Sequence, residues 1–423
     1  MLWVLFTSLF LLGYAFVGYP VLIWVGAGVG GRGVKRGELG GGVSVLVVGH
    51  NEVEGLPRKV GELLELAKRE PIREIWVGLD GCTDGTGERV REELGKLNIQ
   101  CSISNVQVGR GRGESRFLNQ EAKIKKQDSI SNDQYPISNI QCSSGEGEGG
   151  PIVYVVEFEK QRGKAAVLNE LMGRAGQAIW VMMDARQRVE EGAIGKLLEN
   201  FADPQVGVVS GALVYESAKS GVQKGAESYW GYEKWIRESE SRVWAVPGAT
   251  GALYAIRREL CEPIPENTLV DDVLIPMRAV LKGFRCLFEP SARVFDLPSA
   301  RFDQEGLRKR RTLAGIWQLM RLEPRIFSPF ANPIWFQFIS HKFLRLLTPF
   351  FVFLALFSSG IYFWWILFAI LASGMAYFLG KRVRSRLLGL LGAFFGVNVA
   401  LLRAAWDAGT GRFEARWKVG APR

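Results

Sequence analysis

Two stretches without a single charge frame this chain. Residues 1–31 contain no Asp, Glu, Lys or Arg, and neither do residues 346–380. Between them lies a polar, glycine-punctuated segment. Residues 2–25 at about 1.5 Å each reach about 36 Å, against a hydrocarbon core of about 30 Å. They read as an uncleaved anchor: no basic n-region precedes the run, it is long, and no A-x-A-like site closes it. Lys and Arg gather beside the apolar segments, at Arg32, Lys35 and Arg36 and again at Lys381, Arg382, Arg384 and Arg386. By the positive-inside rule the polar segment faces the cytoplasm, which predicts a multi-pass protein of the plasma (inner) membrane. Residues 326–343, rich in Phe, Trp and Pro, read as interfacial helices. The 346–380 run is too long for one helix, and Ser358-Ser359-Gly360 splits it into a hairpin of two spans. With 387–402, which spans, re-enters or lies along the interface, it makes up a C-terminal membrane unit over 344–406.

The same charge placement decides what the net charge of +10 means. Clustered beside apolar runs, it points to anionic lipid rather than nucleic acid. The five Cys form no CxxC pair, and with two His there is no zinc pattern.

The middle alternates strands and helices. Val43–Gly49 is a buried strand ending in His50-Asn51-Glu52, with an amphipathic helix after it to about Arg69. Glu74–Leu79 runs into Asp80-Gly81-Cys82-Thr83-Asp84-Gly85-Thr86, a tight loop rich in backbone donors. Ile152–Phe158 leads into the basic loop Gln161-Arg162-Gly163-Lys164, which opens a helix, and AIWVMM (178–183) ends in Asp184. This alternation predicts an α/β domain on a mostly parallel sheet with right-handed crossovers. Loops at the carboxyl ends of the strands then gather on one edge, where ligands bind in such sheets. Asp184 on that edge holds a divalent metal against a diphosphate, or merely caps the next helix. After it come a helix, a strand (206–214), a polar helix with aromatics at 229–235 that read as core or as a sugar platform, and Pro247–Ala252 before LYAI. Thr268–Asp272 opens a further helix, and Arg308-Lys309-Arg310-Arg311-Thr312 is a basic run. Two Gly-rich segments, GAGVGGRG (26–33) and VGRGRG (108–113), do not follow strands. They therefore fail as dinucleotide fingerprints, and 26–33 reads as a linker.

Residues 98–150 interrupt the pattern. NIQCS occurs at 98–102 and again at 139–143, and SISN at 102–105 and 129–132. The stretch is polar, repetitive and Gly/Ser-rich, and reads as a disordered insertion in a domain spanning 43–322.

The ordered set VSVLVVGHNE, LDGCTDGT, RGKAAVLNE, MMDAR, GATGALYAIRREL, VDDVLIPMRAVLKGFR and RKRRT resembles the family 2 glycosyltransferases. The likeness is to the membrane-embedded synthases of cellulose, hyaluronan and poly-N-acetylglucosamine, and covers about 43–97 and 151–345. It implies a GT-A (Rossmann-like) fold and inverting transfer from a UDP-sugar to a glycan or lipid acceptor. Carried over, His50, Glu52, Asp80, Lys164 and Arg311 bind the donor, with Asp80 on the uracil ring and Arg311 on the diphosphate. Asp184 binds the divalent metal, Mg²⁺ or Mn²⁺. Gly248, Ala249, Thr250 and Gly251 border the acceptor. Asp272, with Asp271 before it, is the general base.

The residue types suit that chemistry. A departing diphosphate needs cations to neutralise it, and the acceptor hydroxyl needs a carboxylate to take its proton. Three positions depart from the family pattern. Arg186 stands where a second metal-binding Asp is usual, Asp271-Asp272 replaces Glu-Asp, and only Arg311 remains of the Gln-x-x-Arg-Trp signature of processive synthases. The expected role is either synthesis of a cell-surface polysaccharide or a single transfer to a glycan or lipid, with an accessory export protein as a candidate partner. The alternative is a membrane scaffold that keeps the fold without catalysis.

Overall fold

A computed structural model describes residues 1–96, 99–107, 136–144, 150–215, 221–296, 302–360 and 398–407, with a few helical positions at 365–375 and 409–410. In chain order, an apolar helix over Leu2–Gly13 (α1) continues through a wide turn at Tyr14–Gly18 into Tyr19–Gly30 (α2). The polar segment then follows as Val43–Gly49 (β1), Gly55–Leu66 (α3), Ile72–Asp80 (β2), Thr86–Lys96 (α4), Ile99–Gln107 (β3) and Pro136–Ser144 (β4). Next come Ile152–Phe158 (β5), Lys164–Arg174 (α5), Ile179–Asp184 (β6), Arg188–Val189 (β7), Ala193–Leu198 (α6) and Val206–Tyr215 (β8). Gly221–Val243 (α7), Leu253–Arg257 (β9), Asp271–Leu281 (α8), Arg285–Asp296 (β10) and Phe302–Leu322 (α9) complete the domain.

The strands form one sheet in the order β3-β4-β5-β2-β1-β6-β9-β8-β10-β7. β1 lies at the centre and is buried at all seven positions, as a strand covered on both faces must be. Val43, Val45 and Val47 point to the core beneath α3, α4 and α6; Leu46 and Val48 point to the other, beneath α5 and α8. The expectation of a mostly parallel sheet needs correction, because the sheet is mixed. β5, β2, β1 and β6 are parallel, as are β8 and β10, but β9 runs antiparallel between β6 and β8. The reason lies in the turn before β9. It sits on the edge where β6 ends, so β9 starts there and must run away from it, pairing Leu253 with Met183.

Two readings of local structure also change. Residues 26–30 extend the apolar helix rather than forming a linker, so that the helix spans Leu2–Gly30 with mean hydropathy 1.9. Gly26 lies beside Val243 at the end of α7. The segment 98–150 is not without regular backbone either. β3 and β4 pair antiparallel with Cys101 opposite Cys142, so the two copies of the repeat meet, and β4 joins β5 at the sheet edge. Residues 108–135 and 145–149 of the expected insertion lie outside the described residues, as does most of 361–397 with its expected further spans.

The apolar helix is docked on the domain through buried polar groups. Glu240 on α7 accepts from Tyr19 Oη (2.5 Å) and from His341 Nδ1 (2.8 Å), and Glu233, two turns earlier, pairs with Arg345 at 3.0 Å. His341 Nε2 lies 2.9 Å from Glu233 Oε1, outside good hydrogen-bond geometry. His341 and Arg345 belong to the helical stretch Trp335–Leu346, which meets Thr348–Ser358 at a 60° bend. Gly360, at φ +55°, follows that helix, where the Ser-Ser-Gly break was expected. Trp3, Phe6, Phe10, Val17 and Trp24 on the apolar helix Leu2–Gly30 are exposed.

Gly78 in β2 has no room for a side chain, since a Cβ there would run into Val167 and Leu171 on α5. Gly78→Val should destabilise the domain by about 1–3 kcal/mol, the usual cost of overpacking. Urea unfolding of the purified protein checks it: a lower midpoint with an unchanged slope is expected.

Candidate active site

The carboxyl ends of β1, β2, β5 and β6 open on one edge, and the loops there are tied to each other before any ligand arrives. Asn51, at φ +52° the one non-glycine with positive φ among the described residues, accepts from Thr83 N (2.8 Å). Glu52 N donates to Thr86 Oγ1 (3.0 Å), and Val53 N donates to Asp84 (3.3 Å). Asn tolerates this backbone better than most residues.

Asp80 is fully buried at the end of β2. Its two oxygens accept from Arg162 N (2.6 Å) and Gly163 N (2.9 Å), which fixes the basic loop, and its carbonyl accepts from His50 Nδ1 (2.5 Å). Burial raises the Asp80 carboxyl above the usual range, while the two N–H groups work the other way. In this arrangement its carboxylate holds the basic loop in place. Gly163, at φ +99°, turns the chain into α5, whose first residue is Lys164. A helix start of this kind favours a phosphate oxygen.

Lys164 is the point where the loops converge. Its ammonium lies 3.2 Å from Asp184 Oδ1 at the end of β6 and 3.0 Å from Asp271 Oδ2 at the start of α8. Burial works against this charge, but Asp271, Asp184 and Asp272 outweigh it and hold the amine protonated above the usual lysine range. Asp272 is half-buried beside them. Burial first, and then the charge of Asp271, push its carboxyl up to about 6; Lys164 and Lys342 pull the other way. The turn Gly248–Gly251 grips this residue from the other side: Ala249 N donates to Asp272 O (2.8 Å) and Gly251 N to Asp272 Oδ2 (3.2 Å). A small cavity lined by Lys164, Met182, Gly251, Tyr254 and Asp271 lies under the cluster.

The structure therefore brings together Lys164, Asp184, Asp271, Asp272 and the 248–251 turn, while Asp80 and His50 form a second, adjoining group. Glu52 and the Arg186 side chain both flank Gly55 at the start of α3. Arg311 is half-buried on α9, one turn before Gly315, where that helix presses against Val270 and Leu269. Two charged residues escaped the sequence reading. Lys342 acts on Asp272 from the Trp335–Leu346 stretch, and Arg237 on α7 reaches the 248–251 turn. Neither carries a local sequence signal, since each works across more than ten residues of separation.

Comparison with known proteins agrees with the architecture. Residues 179–379 match the family described as "Glycosyl transferase family group 2". The poly-beta-1,6-N-acetyl-D-glucosamine synthase of Staphylococcus aureus is 24% identical over 168 residues, 38% of each chain. The chain thus matches well under half the length of that relative. In three dimensions it is similar to a mannosyltransferase from Pyrobaculum calidifontis solved with GDP-mannose and Mn²⁺. The TM-score is 0.67 with 19% identity, covering 97% of this chain and 99% of the other. The fold is GT-A-like, and residues 179–379 carry the likeness to the family 2 glycosyltransferases.

The raised Asp272 carboxyl has a measurable consequence. A group whose folded pKa lies above its unfolded value contributes stability below the unfolded pKa and loses it as pH rises through the folded one. Between about pH 4 and 6 the folded state therefore loses the benefit of holding this proton. Asp272→Asn removes the unfavourable charge and should stabilise the protein on the order of 1–2 kcal/mol at pH 8, with the gain fading toward pH 4. Thermal unfolding at pH 4, 6 and 8 decides this; an equal gain at all three would exclude ionisation as the cause.

Proposed function

We propose that this protein is a membrane-anchored inverting glycosyltransferase. It moves a sugar from a nucleoside-diphosphate sugar, UDP-linked in the first instance, to a hydroxyl of a glycan or lipid acceptor. The observation that carries the reading is the juxtaposition of a base with an anion site. Asp272, held by Gly251 N–H, lies beside an ammonium that joins Asp184 to Asp271. The similarity to a poly-beta-1,6-N-acetyl-D-glucosamine synthase supports a role in polysaccharide formation. The apolar helix Leu2–Gly30 supports the anchor, with further spans after residue 344 and the catalytic domain in the cytoplasm.

In the first step the donor settles over the loop held by Asp80, with its diphosphate toward Lys164 and the start of α5; His50, Glu52 and Arg311 line the pocket. The acceptor enters along Gly248–Gly251, with its hydroxyl toward Asp272. This carboxylate takes the hydroxyl proton as the oxygen attacks the anomeric carbon from the face opposite the diphosphate, which inverts that centre. Lys164, positively charged throughout, offsets the charge that grows on the leaving group.

The residues fit a divalent metal of one kind. Among the described residues there is no cluster of three or more His, Cys, Asp or Glu that would enclose an ion. Asp184, with 39% of its side chain exposed, offers one carboxylate at the mouth. That suits Mg²⁺ or Mn²⁺ held chiefly by donor phosphates and water, with few protein ligands. When bound it would add Lewis-acid stabilisation of the diphosphate.

Membranes carrying the protein, incubated with Mn²⁺ or Mg²⁺ and a panel of labelled UDP- and GDP-sugars, test the function. Products partitioned between organic and aqueous phases and then sized separate a glycolipid from a polymer. Asp272→Asn should lower turnover by about 10²–10⁴ while donor binding is largely kept. In the wild type, turnover should rise with pH through about 6, as Asp272 must be deprotonated to act. Failure of every donor, with wild type and Asp272→Asn alike, would leave the scaffold alternative.

A further inference from the structure

The turn Gly248–Gly251 is shaped by a residue that belongs neither to it nor to any family motif quoted above. Arg237 on α7 is buried, with 6% of its surface exposed. Its Nη1 donates to Thr250 Oγ1 (2.6 Å), and its Nη2 donates to Gly248 O (2.9 Å) and Ser210 Oγ (3.2 Å). The guanidinium lies over the ring of Phe288, 5.0 Å from its centroid. Ser210 Oγ on β8 in turn accepts from Thr250 N (2.9 Å). The fork thus grips both ends of a turn that includes Gly248 at φ +117°, a conformation that needs outside support when it must be held in one state.

A buried guanidinium is expensive when no carboxylate neutralises it. Among the described residues none pairs with Arg237; its partners are two hydroxyls, a carbonyl and a ring. A well-packed apolar side chain would fill this space at lower cost. What the planar fork adds is direction: fixed donors that set two atoms of the turn relative to β8. The far side of the same turn carries the two N–H groups that hold Asp272.

We propose that Arg237 is a positioning residue that sets the Gly248–Gly251 turn and, through Gly251 N–H, the orientation and acidity of Asp272. The catalytic half of this inference rests on the reading of Asp272 as the general base; the structural half does not. Loosening the turn removes a hydrogen bond that favours the charged carboxylate, so the carboxyl should titrate higher.

The experiment compares wild type with Arg237→Lys and Arg237→Gln. Hydrogen–deuterium exchange of the segment 247–252 reads the turn directly, without needing activity, and should quicken about tenfold or more in both variants. Binding of UDP or GDP, which engages the Asp80 side of the site, should change less than about threefold and shows that the fold is kept. With the donor found active in membranes, kcat should fall about 10–100-fold with donor KM nearly constant, and the acidic limb of its pH profile should move upward. Thr250→Val, which deletes the hydroxyl that Arg237 grips, should reproduce the faster exchange. Unchanged exchange at 247–252 would overturn the proposal, and so would loss of folding in both Arg237 variants, which would make Arg237 a stability residue. Faster exchange with an unmoved kcat and pH profile would overturn its link to Asp272. Absence of transfer by the wild type is a different failure: it removes the catalytic reading, while the exchange still decides whether Arg237 sets the turn.

Discussion

The structure depends on one buried cation. Lys164 joins Asp184 to Asp271, and the three residues arrive from three different elements: the start of α5, the end of β6 and the start of α8. Without the ammonium, three aspartates would share a half-buried edge, and their mutual repulsion would force protons onto them or drive the loops apart. With it, Asp184 and Asp271 are brought close, and Asp272 is left as the group whose proton affinity rises. The same charge that holds the loops together is suited to meet a departing diphosphate. Fold stability and chemistry therefore share an interaction rather than competing for it.

Around this centre each loop does one mechanical job. Asp80 spends both oxygens on backbone N–H groups of the basic loop, which explains how a carboxylate survives with no exposed surface. The 248–251 turn reaches Asp272 by two N–H groups, and its position on the site edge makes β9 run against its neighbours. The mixed sheet is thus a consequence of bringing that turn to Asp272. Arg186, in place of a further carboxylate, keeps the mouth from becoming more acidic and leaves Asp184 as its exposed anion.

A second buried polar cluster does for the apolar helix what Lys164 does for the loops. Glu240 and Glu233 on α7 meet Tyr19 of the apolar helix and His341 and Arg345 of the bent pair after it. Burial opposes the charge on Glu233, but His341, Lys342 and Arg345 outweigh it and hold that carboxyl well below its usual range. Apolar contact alone would let the helix slide along α7; directed bonds to buried carboxylates give it one register. Arg237 lies on the same helix between these two glutamates, so the element that receives the apolar helix is also the one that grips the 248–251 turn.

Much of this was legible in the order of residues. Val43–Gly49, Ile152–Phe158 and Ile179–Asp184 read as buried strands because apolar runs of six or seven residues, closed by polar loops, have few other solutions. The chemistry-bearing positions at their ends, Asp80, Lys164 and Asp184, followed from the rule that parallel strands gather their carboxyl ends. The repeat at 98–102 and 139–143 was visible too, yet its polarity argued for disorder; only pairing Cys101 opposite Cys142 gave its backbone a place at the edge of β5. The helix over 26–30 was hidden by its glycines, which are weak helix formers alone and follow the long apolar run that carries the helix through them. What no local pattern could carry was direction and partnership across distance. The antiparallel run of β9, the bridge from Lys164 to Asp271, the grip of Arg237 on Thr250 and the approach of Lys342 to Asp272 join residues far apart in the chain. A sequence determines which groups are available and on which face of a strand or helix they lie. Which of them meet is decided only when burial forces every charge to find its partner.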